Sequence, residues 1–265
     1  MNDFISRYGE WAFVAGAAEG IGAAFSTILA GTGMNLILAD KNLPSLNLLA
    51  GELEKIHGIK TIRIHQDLFE ENASVDCLDK AGEIDFRLMI YVPAFSRIGK
   101  FSGYSTEEID HFLSLNIRTP LHLVHSFLRK KQKGTRCGII LMSSLAGMLG
   151  PALVAPYAAT KAFSLILSES LFYELKNDKV DVLACCAGPT STPTFWKSNP
   201  DRGKLIEVMQ PLEVAAYALK KLGKKPFCIP GWKNRLSYYF LTRMLPRKVA
   251  GTLVSNSMKK IYQDR

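Results

Sequence analysis

The sequence predicts a doubly wound α/β fold, a parallel sheet with helices on both faces, and three observations predict it. Short β-branched or apolar runs alternate with longer stretches of helical periodicity along the 265 residues. Several runs, such as residues 36–39 and 138–142, are continuous apolar blocks, as in strands covered on both faces. The first run leads into a helix through a glycine-rich turn. Right-handed crossovers place helices on both sides of such a sheet, and ligands bind beyond the carboxyl ends of its strands.

Trp11–Ala15 is the first expected strand, and Gly16-Ala17-Ala18-Glu19-Gly20-Ile21-Gly22 turns it into a helix near 20–32. Small residues let the backbone approach a pyrophosphate, whose charge is favoured by the N–H groups at the helix start. The spacing GxxxGxG departs from the generic GxGxxG, and a tight turn alone uses the same glycines. Asp40 strengthens the dinucleotide reading. It ends the second strand, Asn35–Ala39, 18 residues past Gly22, where a carboxylate can hold the adenosine ribose. A helix near 44–57, a strand Lys60–His65, a helix near 71–81 and a strand Arg87–Val92 follow.

A long helix is expected near 105–131, then a strand Gly138–Ser143 that delivers Ser144 beyond its end. Pro156 and Tyr157 open a helix near 156–177. Tyr157 and Lys161 stand four apart, so they share a helical face, and a neighbouring ammonium would lower the phenol's pKa. A lone YxxxK is commonplace as an amphipathic surface pair. Position gives it weight, because Ser144 and Tyr157 both fall beyond strand ends. The strand Val180–Cys186, a helix near 211–222 and a short strand Phe227–Ile229 complete the expected sheet.

Composition narrows the classes. With 48% hydrophobic and 22% charged residues, 20 Gly and 12 Pro, the chain is neither disordered nor collagen-like. It holds no run of eighteen uncharged apolar residues, and its opening MNDFISRYGEW lacks the pattern of a secretory signal. Five cysteines without a CxxC suit a reducing compartment, so a cytoplasmic location is expected. The net charge of +9 is concentrated: residues 1–193 carry 18 Lys+Arg against 20 Asp+Glu, residues 194–265 carry 15 against 4. Residues 234–265 place Leu236, Phe240 and Met244 at four-residue spacing among Arg235, Arg243, Arg247 and Lys248. The plain reading is a solvated rim on a helical lid; contact with an anionic membrane or an acidic carrier is the other. No nucleic-acid motif accompanies the charge, so no nucleic-acid partner is expected.

Together these residues resemble the short-chain dehydrogenase/reductase family, over residues 10–193. The glycine turn follows its TGxxxGxG, with Ala15 in place of threonine. Asp67 matches the aspartate near adenine, Asn116 the catalytic asparagine, and Ser144 precedes Tyr157 by the usual 13 residues. Ala187-Gly188-Pro189-Thr190-Ser191-Thr192-Pro193 resembles PGxxxT, with Thr192 in the place that contacts the nicotinamide amide. The family's NNAG appears as Tyr91-Val92-Pro93-Ala94, sharing none of its residues in place.

The resemblance implies a Rossmann-type domain, with residues 1–193 as the dinucleotide-binding and catalytic core. Residues 194–265 would then supply a substrate lid, the last strand and a basic helical extension. It implies hydride transfer between a nicotinamide and a carbonyl or secondary alcohol of an apolar compound, such as a steroid, fatty acyl or cyclic alcohol. Asn116, Ser144, Tyr157 and Lys161 would be catalytic. Cofactor contacts would come from Gly16, Ala18, Glu19, Gly20, Ile21, Gly22, Asp40, Lys41, Asp67, Leu68, Ala94, Tyr157, Lys161, Gly188, Pro189, Thr190 and Thr192. NAD is expected over NADP, because Asp40 and Glu19 would face a 2′-phosphate, although Lys41 opposes them. No metal is expected: His111, His122 and His125 have no acidic or thiol partner at ligand spacing. A homodimer or homotetramer is expected through the helices near 105–131 and 156–177. The lost NNAG motivates a rival, a catalytically weak dinucleotide-sensing protein of the same fold.

Overall fold

The computed structural model describes residues 4–132, 134–201 and 207–262. A short helix α1 (Phe4–Tyr8) leads into β1 (Trp11–Ala15), α2 (Gly20–Ala30), β2 (Asn35–Asp40), α3 (Leu43–His57), β3 (Thr61–His65), α4 (Ala73–Ala81) and β4 (Phe86–Tyr91). Next come α5 (Thr106–Leu113), a π-helical turn Ser114–Arg118, α6 (Thr119–Lys130), β5 (Cys137–Ser144), α7 (Ala146–Leu149), α8 (Ala155–Glu174) and β6 (Val180–Ala187). The chain continues through α9 (Pro193–Lys197), α10 (Pro211–Lys221), β7 (Phe227–Cys228), α11 (Trp232–Tyr239), a second π-helical turn Phe240–Met244 and α12 (Arg247–Ile261).

The strands form one parallel sheet in the order β3-β2-β1-β4-β5-β6-β7. Alternation along each strand feeds two cores. Leu36 and Leu38 pack with Phe25, Leu29, Leu46 and Val214 of α2, α3 and α10. Ile37 and Ala39, with Phe13, Met89 and Ile139, pack with Cys77, Leu123 and Phe127 of α4 and α6. Both strand faces are therefore dry, which is why these runs carry no polar alternation. Residues after 193 join the same body, since α10 packs on the sheet and β7 extends it.

Register sets the site. Ala15 pairs with Ala39 and with Tyr91, and Ser144 pairs with Ala187, so Gly16, Asp40, Val92, Ser144 and Gly188 emerge along one edge. The expected helix 105–131 differs: the π-helical turn at Asn116 splits it. The basic tail is two helices joined through a second π-helical turn. In the cationic cluster at the end of α6, Lys133 lies outside the described residues, as do residues 202–206 and Arg265.

Candidate active site

The glycine turn is built around a contact no side chain permits. Gly16 and Gly20 adopt φ of +72° and +58°, and a Cβ on Gly22 would lie 1.8 Å from the Gly16 carbonyl oxygen. The helix α2 thus starts against the end of β1. Across the turn, a Cβ on Gly20 would lie 3.0 Å from Cγ2 of Thr192, so the two segments border one cleft. Ile21 is half-buried behind them, and Glu19 is exposed at the start of α2.

Asp40 is oriented by backbone donors: Ala18 N–H and Asn42 N–H each donate to one carboxylate oxygen at 2.9 Å. Lys41 turns away from Asp40. Its Nζ lies 4.0 Å from Asp67 Oδ2 and 5.1 Å from the centre of the Phe69 ring. Asp67 itself accepts from Phe69 N–H at 3.1 Å. Leu68 is buried, and its carbonyl accepts from Thr119 Oγ1.

The substituted NNAG segment is supported by other means. Val92 N–H donates to Ala15 O, and the Pro93 ring packs where Gly16 lacks a side chain. Tyr91 reaches across to donate its phenol to Leu115 O in the π-helical turn at 2.7 Å. Beside Ala94, Phe95 exchanges both backbone groups with the Asn116 amide, at 2.7 and 2.9 Å. Asn116 also donates to Thr160 Oγ1 at 2.9 Å, tying α8 to the same turn. The buried amide is fully engaged by protein partners.

Ser144, Tyr157 and Lys161 come together at the end of β5. Ser143 Oγ donates to the Lys161 carbonyl, and Lys161 Nζ donates to Met142 O at 2.8 Å. Gly147 keeps α7 against α8, because a Cβ there would meet Ala162 N at 2.6 Å. Burial pushes the Lys161 ammonium down to about 8, opposed in part by Cys186. Burial also raises the Tyr157 phenol; a hydrogen bond with Ser144 lowers it in part, and Tyr262 raises it further. This corrects the expected lowering by Lys161, whose ammonium is held by Met142 O, 5.7 Å from the centre of the Tyr157 ring.

The Gly188–Thr192 segment closes the other side. Met209 clamps it through Met209 N to Pro189 O and Ser191 N to Met209 O, and Thr190 Oγ1 donates to Gly188 O. Thr192 Oγ1 caps α9 by accepting from Phe195 N–H. Asn234 of α11 packs under Gly188, where a Cβ would meet its Nδ2 at 2.8 Å.

A family profile for short chain dehydrogenases matches residues 10–203. The chain belongs to that family. It is an oxidoreductase acting on CH–OH donors with a nicotinamide dinucleotide.

This dehydrogenase is 32% identical over 234 residues to a 7beta-hydroxysteroid dehydrogenase of Clostridium sardiniense, covering 88% of this chain and 90% of that one. A solved structure of a 7beta-hydroxysteroid dehydrogenase superimposes with a TM-score of 0.89 at 27% identity, covering 95% and 98% of the two chains. A short-chain dehydrogenase from Sphingobium yanoikuyae in complex with NADPH gives 0.73 at 25% identity, covering 83% and 86%. The glycine cradle and the anchored Asp40 fit a dinucleotide in this chain's own geometry. Sequence reasoning on this dehydrogenase missed Tyr91, Thr160, Asn234 and Tyr262, which reach the site through tertiary contacts rather than by spacing. Tyr91 carried one signal, a phenol following the apolar run Leu88–Ile90 at the end of its strand.

Proposed function

We propose that this enzyme exchanges hydride between NAD and a secondary alcohol or ketone on a steroid-like ring system. The observation that carries the reading is the convergence of Ser144, Tyr157 and Lys161 at the end of β5 beside the glycine cradle. The hydroxysteroid dehydrogenases among its relatives support the ring system. Bound nicotinamide supplies or accepts the hydride. Tyr157, kept as a neutral phenol by burial, donates the proton to the carbonyl oxygen; in the reverse direction its phenolate takes the proton from the alcohol. Ser144 holds that oxygen, and the Lys161 ammonium beside the ring stabilises the phenolate that forms. Asn116 positions the turn after β4 against α8.

The direct test is absorbance of reduced cofactor against a panel of steroid, fatty acyl and cyclic ketones and alcohols. Turnover of a hydroxysteroid is expected; binding of cofactor with no turnover anywhere in the panel would favour the dinucleotide sensor instead.

Preference for NAD rests on the anchored Asp40, whose carboxylate accepts from ribose hydroxyls and repels a 2′-phosphate. Exposed Glu19 adds a second anion, and Lys41 is drawn to Asp67 and Phe69. The expected ratio of kcat/KM is at least ~10-fold for NAD, equivalent to about 1.4 kcal/mol, with most of it lost in Asp40→Ser. A wild type that works better with NADP would assign the pocket to Lys41.

Self-association through α5, α6 and α8 is supported by Leu113, Leu121, Ile166 and Tyr173, all exposed on those helices. On the same side of α8, Phe163 and Leu167 are half-buried and Ser170 is exposed. A homodimer or homotetramer is expected by light scattering at micromolar concentration; a particle of only 29.4 kDa contradicts it.

No helix among the described residues is long and apolar enough to cross a membrane. Five buried free thiols support a cytoplasmic reading. Exposed Trp232, Leu236, Tyr239, Phe240 and Met244, flanked by exposed Lys233, Arg235 and Arg243, support weak peripheral contact with anionic lipid. Salt-sensitive co-sedimentation with phosphatidylserine vesicles is expected; none at low salt leaves the segment as a rim.

A further inference from the structure

We infer that Tyr91 is a positioning residue for Tyr157, acting on it through a buried chain of hydrogen bonds that passes by way of Asn116 and Thr160. The inference rests on the proposed reading of the active site and deepens it.

The chain starts at a carbonyl that its own helix does not serve. In the π-helical turn Ser114–Arg118, Thr119 N–H reaches back to Ser114 O. In an α-helix the same N–H would go to Leu115 O. The donor one residue further on would be Pro120, which has no N–H. Leu115 O is thus left over inside the protein, where an unpaired carbonyl is costly. The Tyr91 phenol donates to it at 2.7 Å. Of the four residues from Tyr91 to Ala94, only Tyr91 carries a polar side chain. Burial raises its phenol well above the ordinary value, so it keeps its proton and remains a donor.

The next residue, Asn116, carries the chain on. Its Nδ2 donates to Thr160 Oγ1 at 2.9 Å, and Thr160 Oγ1 donates to the Tyr157 carbonyl at 2.9 Å. Asn116 and Thr160 are both buried, so these bonds are made away from water. The start of α8 is therefore held from two sides. Ser143 and Met142 of β5 hold it through Lys161, and the π-helical turn holds it through Thr160. Tyr91 decides the second hold. Without its phenol, Leu115 O competes with Ser114 O for Thr119 N–H, and Asn116 beside it shifts. Proton transfer depends on such placing more steeply than substrate binding does.

The test is steady-state kinetics with the steroid that wild type turns over, on Tyr91→Phe, Thr160→Val, Thr160→Ser and the double variant Tyr91→Phe, Thr160→Val. Circular dichroism checks the fold, and fluorescence titration reads cofactor affinity. Tyr91→Phe is expected to lower kcat by roughly 10-fold, with KM and cofactor Kd within about 3-fold of wild type. Thr160→Val keeps the side-chain shape without the hydroxyl, and is expected to lower kcat at least as far. Thr160→Ser restores the hydroxyl and is expected to stay near wild type. The double variant is expected to fall no further than Thr160→Val alone, because both cuts lie on one chain. Unchanged kcat in a folded Tyr91→Phe, a loss carried by KM, or losses that multiply in the double variant overturns the inference alone. If Tyr91→Phe does not fold, Thr160→Val decides: wild-type kcat overturns the inference, and a fall that serine reverses upholds it. A wild type with no turnover anywhere in the panel overturns the proposed function and this inference with it.

Discussion

Replacing Tyr157 with phenylalanine is expected to cut turnover by ~10²–10⁴-fold while cofactor affinity stays within a few-fold. Only the phenolic oxygen is removed. The ring keeps its place on α8, and the glycine cradle is untouched. Circular dichroism and a cofactor titration separate loss of chemistry from loss of fold, and near-normal turnover on an identified substrate would sink the mechanism. The pH profile adds a second check. Burial holds the Tyr157 phenol above its ordinary pKa, so it stays a proton donor through neutral pH. Burial brings Lys161 down to about 8. Below that pH the ammonium is present, and above it the charge that stabilises phenolate is lost. Ketone reduction is therefore expected to fall as pH rises through about 8, and a flat profile there would remove Lys161 from the step.

Gly22→Ala is expected to weaken cofactor binding by at least ~100-fold and to cost about 1–3 kcal/mol of stability. The new methyl would sit 1.8 Å from the Gly16 oxygen and 2.7 Å from its carbonyl carbon. Both are backbone atoms, so no rotamer relieves the clash and α2 must retreat from β1. Gly51→Ala is the matched control, because a Cβ there meets nothing within 4 Å. Inside α3 it is expected to stabilise by about 0.5–1 kcal/mol. Fluorescence titration of cofactor and urea unfolding read both effects. Normal binding by Gly22→Ala would show that the helix start need not press on the strand.

The sequence made the sheet readable because residues such as Leu36 to Ala39 are apolar on both faces, a pattern only doubly covered strands require. Asp40, Ser144, Tyr157 and Lys161 were readable because strand ends and a four-residue helical step fix their places. The direction of the Tyr157 shift was not. Spacing reveals the neighbouring ammonium, whereas burial and the Met142 carbonyl that holds it are properties of the folded chain. Asn234 and Tyr262 come from the far end of the chain to meet Gly188 and the neighbourhood of Tyr157, and no local pattern announces such contacts. Tyr91 looked like a lost motif residue, yet its phenol reaches the turn that carries Asn116. The basic helical extension was readable but not the bounds of α12, because its exposed face outweighs its buried one, with Ala250 its one fully buried residue among those described.

The π-helical turn at Asn116 carries a history of its own. Leave Asn116 out of the count, and the buried positions Phe112, Leu115, Thr119, Leu123 and Phe127 recur at steps of three, three, four and four. That is the rhythm of an uninterrupted α-helix. A π-helical turn spends one residue more than an α-helical one, so the rod formed by α5 and α6 carries an extra residue within Ser114–Arg118, the turn that holds the buried Asn116. Assembly and chemistry are written in separable letters here. A chain lacking Asn116 is expected to close the rod as a plain α-helix, with nothing left to join Phe95 to Thr160.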